Sequence, residues 1–168
     1  LFPLLRQRSP MLAFVAMLAC ANASAGAEQL AGQVVAVSDG DTLTVLDAAK
    51  TMHKVRIAGI DAPESRQAFG TAAKDSLSSL VFDLSVEVTW HKRDRYGRLV
   101  GTVRAARTGS DVGLEQIRAG MAWHYKAYER EQLPADRVAY ADAEAKARKL
   151  RKGLWGEQNP VPPWEFRR

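Results

Sequence analysis

The chain has 168 residues, 46% hydrophobic and 26% charged, with 24 Lys and Arg against 19 Asp and Glu and a formal charge of +5. This suits one globular domain with a core of its own, and the positive excess favours polyanionic partners such as nucleic acid. A single cysteine, Cys20, excludes a disulfide framework and thiolate metal sites.

Arg6 and Arg8 precede an apolar stretch, Met11 to Ala21, and the small residues Asn22-Ala23-Ser24-Ala25-Gly26-Ala27 follow. Residues 1–27 therefore read as a secretory signal peptide, cut near Ala25 or Ala27. The apolar run is well short of the roughly 20 residues that span a bilayer, so no permanent membrane span is expected. Met17-Leu18-Ala19-Cys20 has a faint likeness to a lipoprotein cleavage box. Without the leader, 22 basic and 19 acidic side chains remain, a charge of +3, so the basicity must be local to matter.

From Leu30 the apolar residues are β-branched and partly alternating: Val34, Val35 and Val37, then Leu43 and Val45, then Val55, Ile57 and Ile60. Three antiparallel strands in a meander are predicted, punctuated by Ser38-Asp39-Gly40-Asp41 and Asp47-Ala48-Ala49-Lys50. Helical spacing of Phe69, Ala73, Leu77, Leu80 and Val81 predicts a helix over Gln67 to Phe82. Val86, Val88 and Trp90 alternate again and pair with Leu99, Gly101, Val103 and Ala105 across an Arg95-Tyr96-Gly97 turn.

Asp111 suits the N-cap of a short helix through Leu114, Ile117 and Arg118 that Gly120 closes. A last helix runs from about Pro134 to Lys152, with Tyr140, Ala143, Ala147 and Leu150 on one face and Gly153 as its stop. The segment Asn159-Pro160-Val161-Pro162-Pro163-Trp164 is too proline-rich for regular structure. The order predicts an α+β, mainly β domain over 28–156, a five-stranded OB-fold barrel with three packed helices, and a tail over 157–168.

Arg56, Asp61 and Glu64 close one alternating run; Asp39-Gly40-Asp41-Thr42 lies upstream and Lys92-Arg93-Asp94-Arg95-Tyr96-Gly97-Arg98 downstream. Each motif has a plainer reading alone: a hairpin turn for Asp39-Gly40-Asp41, a barrel surface charge for Arg56, a turn charge for Arg98, and a solvated face for Lys92, Arg93 and Arg95. Together they place carboxylates suited to a hard cation beside arginines suited to phosphate, the pattern of a metal-dependent phosphodiesterase. With only three scattered histidines, Ca²⁺ is expected before Zn²⁺. An EF-hand does not fit, because counting from Asp39 puts Thr44 at the glycine position and Lys50 at the bidentate glutamate.

On these three motifs the chain resembles the staphylococcal nuclease family across about residues 30–156, and the short secreted or periplasmic bacterial members in particular. The resemblance implies that Asp41, Asp61 and the backbone carbonyl of Ala62 hold calcium, with Asp39 behind them orienting ligands or water. It assigns Glu64 to the attacking water, and Arg56 with Arg98 to the phosphate and the charge that builds on it. Tyr125 and Tyr128 fall where the family keeps tyrosines beside the base, and Tyr128 is the better stacking candidate; Trp123 suits core packing. Arg93 and Arg95 are expected to attract the nucleic-acid backbone.

The implied protein is a monomeric, secreted or periplasmic, calcium-dependent endonuclease acting on DNA and RNA with little sequence preference and leaving 3′-phosphate ends. Two departures accompany the resemblance. The loop after Glu64, Ser65-Arg66-Gln67-Ala68-Phe69-Gly70, lacks the lysine-rich insertion of the staphylococcal enzyme. Ala62 stands where that enzyme has threonine, and a position contributing only its carbonyl leaves the side chain free to vary. The alternative is an OB-fold module that binds nucleic acid without cutting it, although such a module has no need of the full set Asp41, Arg56, Asp61, Glu64 and Arg98.

Overall fold

The computed structural model describes residues 26–168, so the leader read over 1–27 lies, apart from Gly26 and Ala27, outside the described residues. Strands β1 (Glu28–Asp39), β2 (Thr42–Asp47) and β3 (Met52–Ile57) form the antiparallel meander. A two-residue strand, β4 (Ile60–Asp61), and helix α1 (Gly70–Val81) precede the hairpin of β5 (Ser85–Arg93) and β6 (Leu99–Ala105). Two further ladders close the barrel: β1 lies antiparallel to β5, from Glu28 opposite Trp90 to Gln33 opposite Ser85, and β3 lies parallel to β6, with Arg56 opposite Val100.

One strand can serve two partners because β1 is long and bent. Its register against β2 shifts between Val34 and Ala36 and again between Val37 and Asp39, irregularities that curve a strand and increase its twist. The β-branched positions that predicted strands point inward: Val34, Val45, Val55, Val86, Val88 and Val103 are buried beside Leu43, Ile57 and Leu99. Each such side chain contributes about 1.5 to 3 kcal/mol by leaving water.

Helix α1 starts three residues later than its spacing predicted. Gln67 turns the chain instead: its N–H donates to the Glu64 carbonyl at 2.8 Å, and its side-chain oxygen accepts the Glu64 N–H at 3.1 Å. Phe69 then adopts a left-handed conformation (φ 64°), which no helix continues. Ala73, Leu77 and Val81, four residues apart, bury one stripe of α1 in the barrel core.

Helix α2 (Val112–Arg118) follows the sequence reading, with Asp111 accepting the Leu114 N–H at 3.0 Å and Gly120 at φ +70°. After it, β7 (Trp123–His124) pairs antiparallel with β4, a ladder too short to leave any periodicity in the sequence. A 3₁₀ turn (Lys126–Glu131) leads to α3 (Pro134–Lys149). This helix stops three residues short of its predicted end, because Arg151, rather than Gly153, takes the first left-handed position (φ 51°). The Lys152 N–H reaches the Ala147 carbonyl and the Arg151 N–H the Arg148 carbonyl, both at 3.0 Å, which is the Schellman pattern.

The tail is not irregular as expected. Pro162 caps, and Pro163 opens, a fourth helix, α4 (Pro163–Phe166), because proline's fixed φ suits a first turn while its missing N–H costs nothing there. Trp164 of this turn packs edge-on against Trp123 at 5.5 Å, in a second core of Trp123, Ala147, Leu154 and Trp155. None of the described helices is long and apolar enough to cross a membrane.

Candidate active site

The turn between β1 and β2 carries Asp39 and Asp41, and three elements hold it. Asp39 Oδ1 accepts the Asp41 N–H at 3.1 Å. From beneath, the fully buried Gln116 of α2 donates to the carbonyls of Gly40 and of Ala73 in α1, each at 2.9 Å, while Ser76 donates to its oxygen at 2.6 Å. Nothing in its sequence spacing singled Gln116 out; a polar residue on the inward face of an amphipathic helix was the available signal.

Asp61 is placed by the chain reversal after β3. Ala58 still donates to the Gly101 carbonyl at 2.9 Å, and Gly59, at φ +76° where a side chain would be strained, swings the chain into β4. Pairing with β7 fixes the Asp61 backbone, and Asp61, its carboxylate covered by guanidinium groups, has no exposed surface. Asp41 accepts the Thr42 hydroxyl on Oδ1 at 2.8 Å and the Ala62 N–H on Oδ2 at 3.2 Å, which ties the two acidic segments together.

Three guanidinium groups meet these carboxylates. Arg56 bridges the two aspartates, with Nη1 3.2 Å from Asp41 Oδ2 and Nη2 2.9 Å from Asp61 Oδ1. Arg98 binds Asp94 through Nε at 2.7 Å and donates to the Thr42 hydroxyl through Nη1 at 3.2 Å, so it sits one residue from Asp41. The third, Arg167, comes from the end of the tail and escaped the sequence reading. It grips Asp61 with both nitrogens, at 2.7 and 3.2 Å, and Glu64 Oε1 at 2.6 Å. The only signal for it was a basic pair after a proline-set turn.

The charges are strongly coupled to burial. Burial, then the neighbouring Asp41 charge, pushes the Asp39 carboxyl up to about 6. Burial also raises Asp61, against the pull of Arg167 and Arg56. For Arg56 burial works against the charged form, but Asp41 and Asp61 outweigh it and raise its pKa. Asp94 ends below the usual carboxylate range, since hydrogen bonds from Arg98 overcome its desolvation.

Asp39, Asp41, Arg56, Glu64, Arg98 and Arg167 line one cleft of about 940 Å³, while Asp61 lies behind its wall. Tyr125 and Tyr128 also border the cleft, their rings 5.5 Å apart, and Tyr128 is about half exposed with Lys92 Nζ 4.7 Å above it. Arg93 and Arg95 lie on the hairpin rim, Arg93 donating to the Gly97 carbonyl at 3.0 Å and Arg95 stacking over Tyr96. Trp123 is buried, as expected.

Arg56 joins Asp41 and Asp61, and among the described residues no three His, Cys, Asp or Glu side chains converge to hold a metal by themselves. The Ala62 side chain is buried and close to the turn: a Cβ placed on Gly40 would lie 2.7 Å from the Ala62 methyl and 2.6 Å from that of Ala73, so position 62 has less room for a larger side chain than the sequence suggested.

Residues 54–157 match the family of staphylococcal nuclease homologues. The chain is 44% identical to a micrococcal nuclease of Shigella flexneri over 144 residues, covering 82% of this chain and 80% of that one. It is 42% identical to an "Uncharacterized endonuclease" of Escherichia coli O157:H7 over 137 residues, 81% and 84% of the two chains. A protein of the same description from Haemophilus influenzae is 38% identical over 160 residues, 95% and 83% of the two chains.

Proposed function

Since the chain belongs to the staphylococcal nuclease family and is a nuclease, we propose that it is a calcium-dependent endonuclease, secreted or periplasmic, that hydrolyses DNA and RNA with little sequence preference and leaves 3′-phosphate ends. The observation that carries this reading is the meeting of both acidic segments with Arg56 and Arg98 at one rim, through contacts of 2.8 to 3.2 Å.

Calcium is supported by the donor chemistry. The set is all oxygen, with Asp39, Asp41 and Glu64 on one cleft, Asp61 behind its wall and no histidine or cysteine among them, which suits a hard cation. Asp41, Asp61 and the Ala62 carbonyl would hold it, with Asp39 orienting them. When bound, calcium supplies Lewis acidity toward a phosphate oxygen.

The remaining work falls to side chains. Arg56 is only 17% exposed and fixed by two carboxylates, so it meets a phosphate already oriented, and Arg98 approaches the same phosphate from the hairpin. Their planar forks stabilise the charge that builds as water adds to phosphorus. Glu64, with a side chain 38% exposed, can reach a water and accept its proton. Tyr128 and Tyr125 offer stacking faces worth about 1 to 3 kcal/mol per base whichever base is present, which suits low sequence preference. Arg93 and Arg95 attract the backbone. The basic-then-apolar leader supports export, and a single small domain supports a monomer.

Incubating the mature protein with single-stranded DNA, duplex DNA and RNA, with Ca²⁺ or with excess chelator, tests the reading. All three substrates should be cut only with Ca²⁺, yielding 3′-phosphate ends. Undiminished cleavage in chelator would remove the calcium requirement, and 5′-phosphate products would reverse the assigned direction of attack.

A further inference from the structure

We infer that α4 is a displaceable strap whose Arg167 occupies the carboxylates a divalent cation needs, so that cation binding and strap release are one equilibrium. This rests on the calcium reading above, and four observations carry it.

Both Asp61 oxygens are engaged by Arg167, which also holds Glu64. A guanidinium and a cation cannot share the same oxygens of a residue that has no exposed surface. Second, the positive charge at the site divides into a fixed and a removable part. Arg56 is rooted in β3 and its side chain is 17% exposed; Arg167 follows the single short turn of α4 and its side chain is 41% exposed.

Third, the strap is anchored away from the carboxylates by side-chain contacts that can be undone. The Trp164 ring lies against Trp123 and Tyr125, each at 5.5 Å, and Gln67 donates its side-chain amide to the Val161 carbonyl. Fourth, the family match ends at residue 157, ahead of the segment that carries Arg167. The site therefore closes with residues that lie beyond the matched stretch.

A plug follows. With the strap docked, Arg56 and Arg167 offset part of the negative charge of the carboxylates, and Arg167 holds one Glu64 oxygen. A cation that takes Asp61 displaces Arg167, which frees Glu64 in the same step. Binding is weakened by the fraction of molecules whose strap is closed, and by reciprocity the cation opens the strap by the same factor.

Calorimetric titration of the full-length protein with Ca²⁺, for wild type, Arg167→Gln and Trp164→Ala, provides the test, together with hydrogen exchange of residues 160–168. Arg167→Gln should bind Ca²⁺ about tenfold tighter or more, because the competent fraction is no longer limited by the strap. Trp164→Ala, which leaves every carboxylate and arginine in place, should also bind tighter. In wild type, exchange protection of 160–168 should fall as Ca²⁺ saturates. Equal or weaker Ca²⁺ binding in Arg167→Gln, or a segment that stays protected at saturation, would overturn the strap while leaving the calcium reading intact. Absence of Ca²⁺ binding in all three proteins would remove the calcium reading and the strap with it.

Discussion

Arg98 commits its Nε to Asp94 and its Nη1 to the Thr42 hydroxyl, beside Asp41, whereas Arg93, five residues away on the same hairpin, caps the Gly97 carbonyl and lies over Trp90. One is held beside the acidic turn and the other faces solvent and backbone. We predict that Arg98→Ala lowers kcat by about 10²-fold or more, the scale for losing a donor to transition-state charge. Arg93→Ala should instead raise KM and flatten its dependence on salt. Steady-state kinetics across a salt series separates the two, and equal kcat losses would contradict the assignment. Ala62 illustrates a different residue-scale constraint. It is buried with its methyl close against Gly40, so Ala62→Thr should cost about 1 to 3 kcal/mol by overpacking. Urea denaturation reads that loss directly, and an unchanged midpoint would mean that the turn yields.

Helices α2 and α3 together brace the site. Asp111 caps α2 and accepts the Tyr140 hydroxyl of α3 at 2.8 Å, while Glu144, one turn on, accepts the His124 N–H at 3.1 Å and so fixes β7 behind Asp61. Burial, then Asp111, pushes the Tyr140 pKa above the ordinary tyrosine value. A tyrosine kept protonated in the fold but free to ionise at pH ~10 when unfolded stabilises fully below that pH and progressively less above it. Tyr140→Phe should therefore cost about 1 to 3 kcal/mol at pH 7, because Asp111 loses a partner. The deficit should shrink above pH ~10, where the wild type loses its advantage. Urea midpoints at pH 7 and pH 10.5 check both parts, and a deficit independent of pH would exclude Tyr140 as its source.

At the scale of the molecule, legibility tracked the range of the interaction. Barrel strands were visible because Val34, Val45, Val55, Val86, Val88 and Val103 alternate and are β-branched, and α2 because Asp111 and Gly120 mark its ends locally. The start of α1 was misplaced because the Gln67 side chain builds a turn that mimics the helical period. Strands β4 and β7 left no signal because two residues carry no periodicity, yet they fix the backbone of Asp61. The two acidic segments and Arg56 were readable as types of chemistry. Their linkage through the Ala62 N–H, the support of Gln116 beneath the first turn, and the arrival of Arg167 from 106 residues beyond Asp61 depend on contacts that leave no local trace.

The parallel β3–β6 ladder has a kinetic meaning as well as a geometric one. Asp41, Arg56 and Asp61 come from a contiguous stretch that the β1–β3 meander can assemble by local pairing, but Arg98 reaches them only when residues 55–57 dock on residues 99–101. That contact encloses α1 and β5 within one long loop, and such nonlocal pairing is slow because the loop must close before any contact rewards it. Secondary structure can therefore be well formed in a molecule that has no complete site, because Arg98 joins the acidic segments only through a nonlocal pairing.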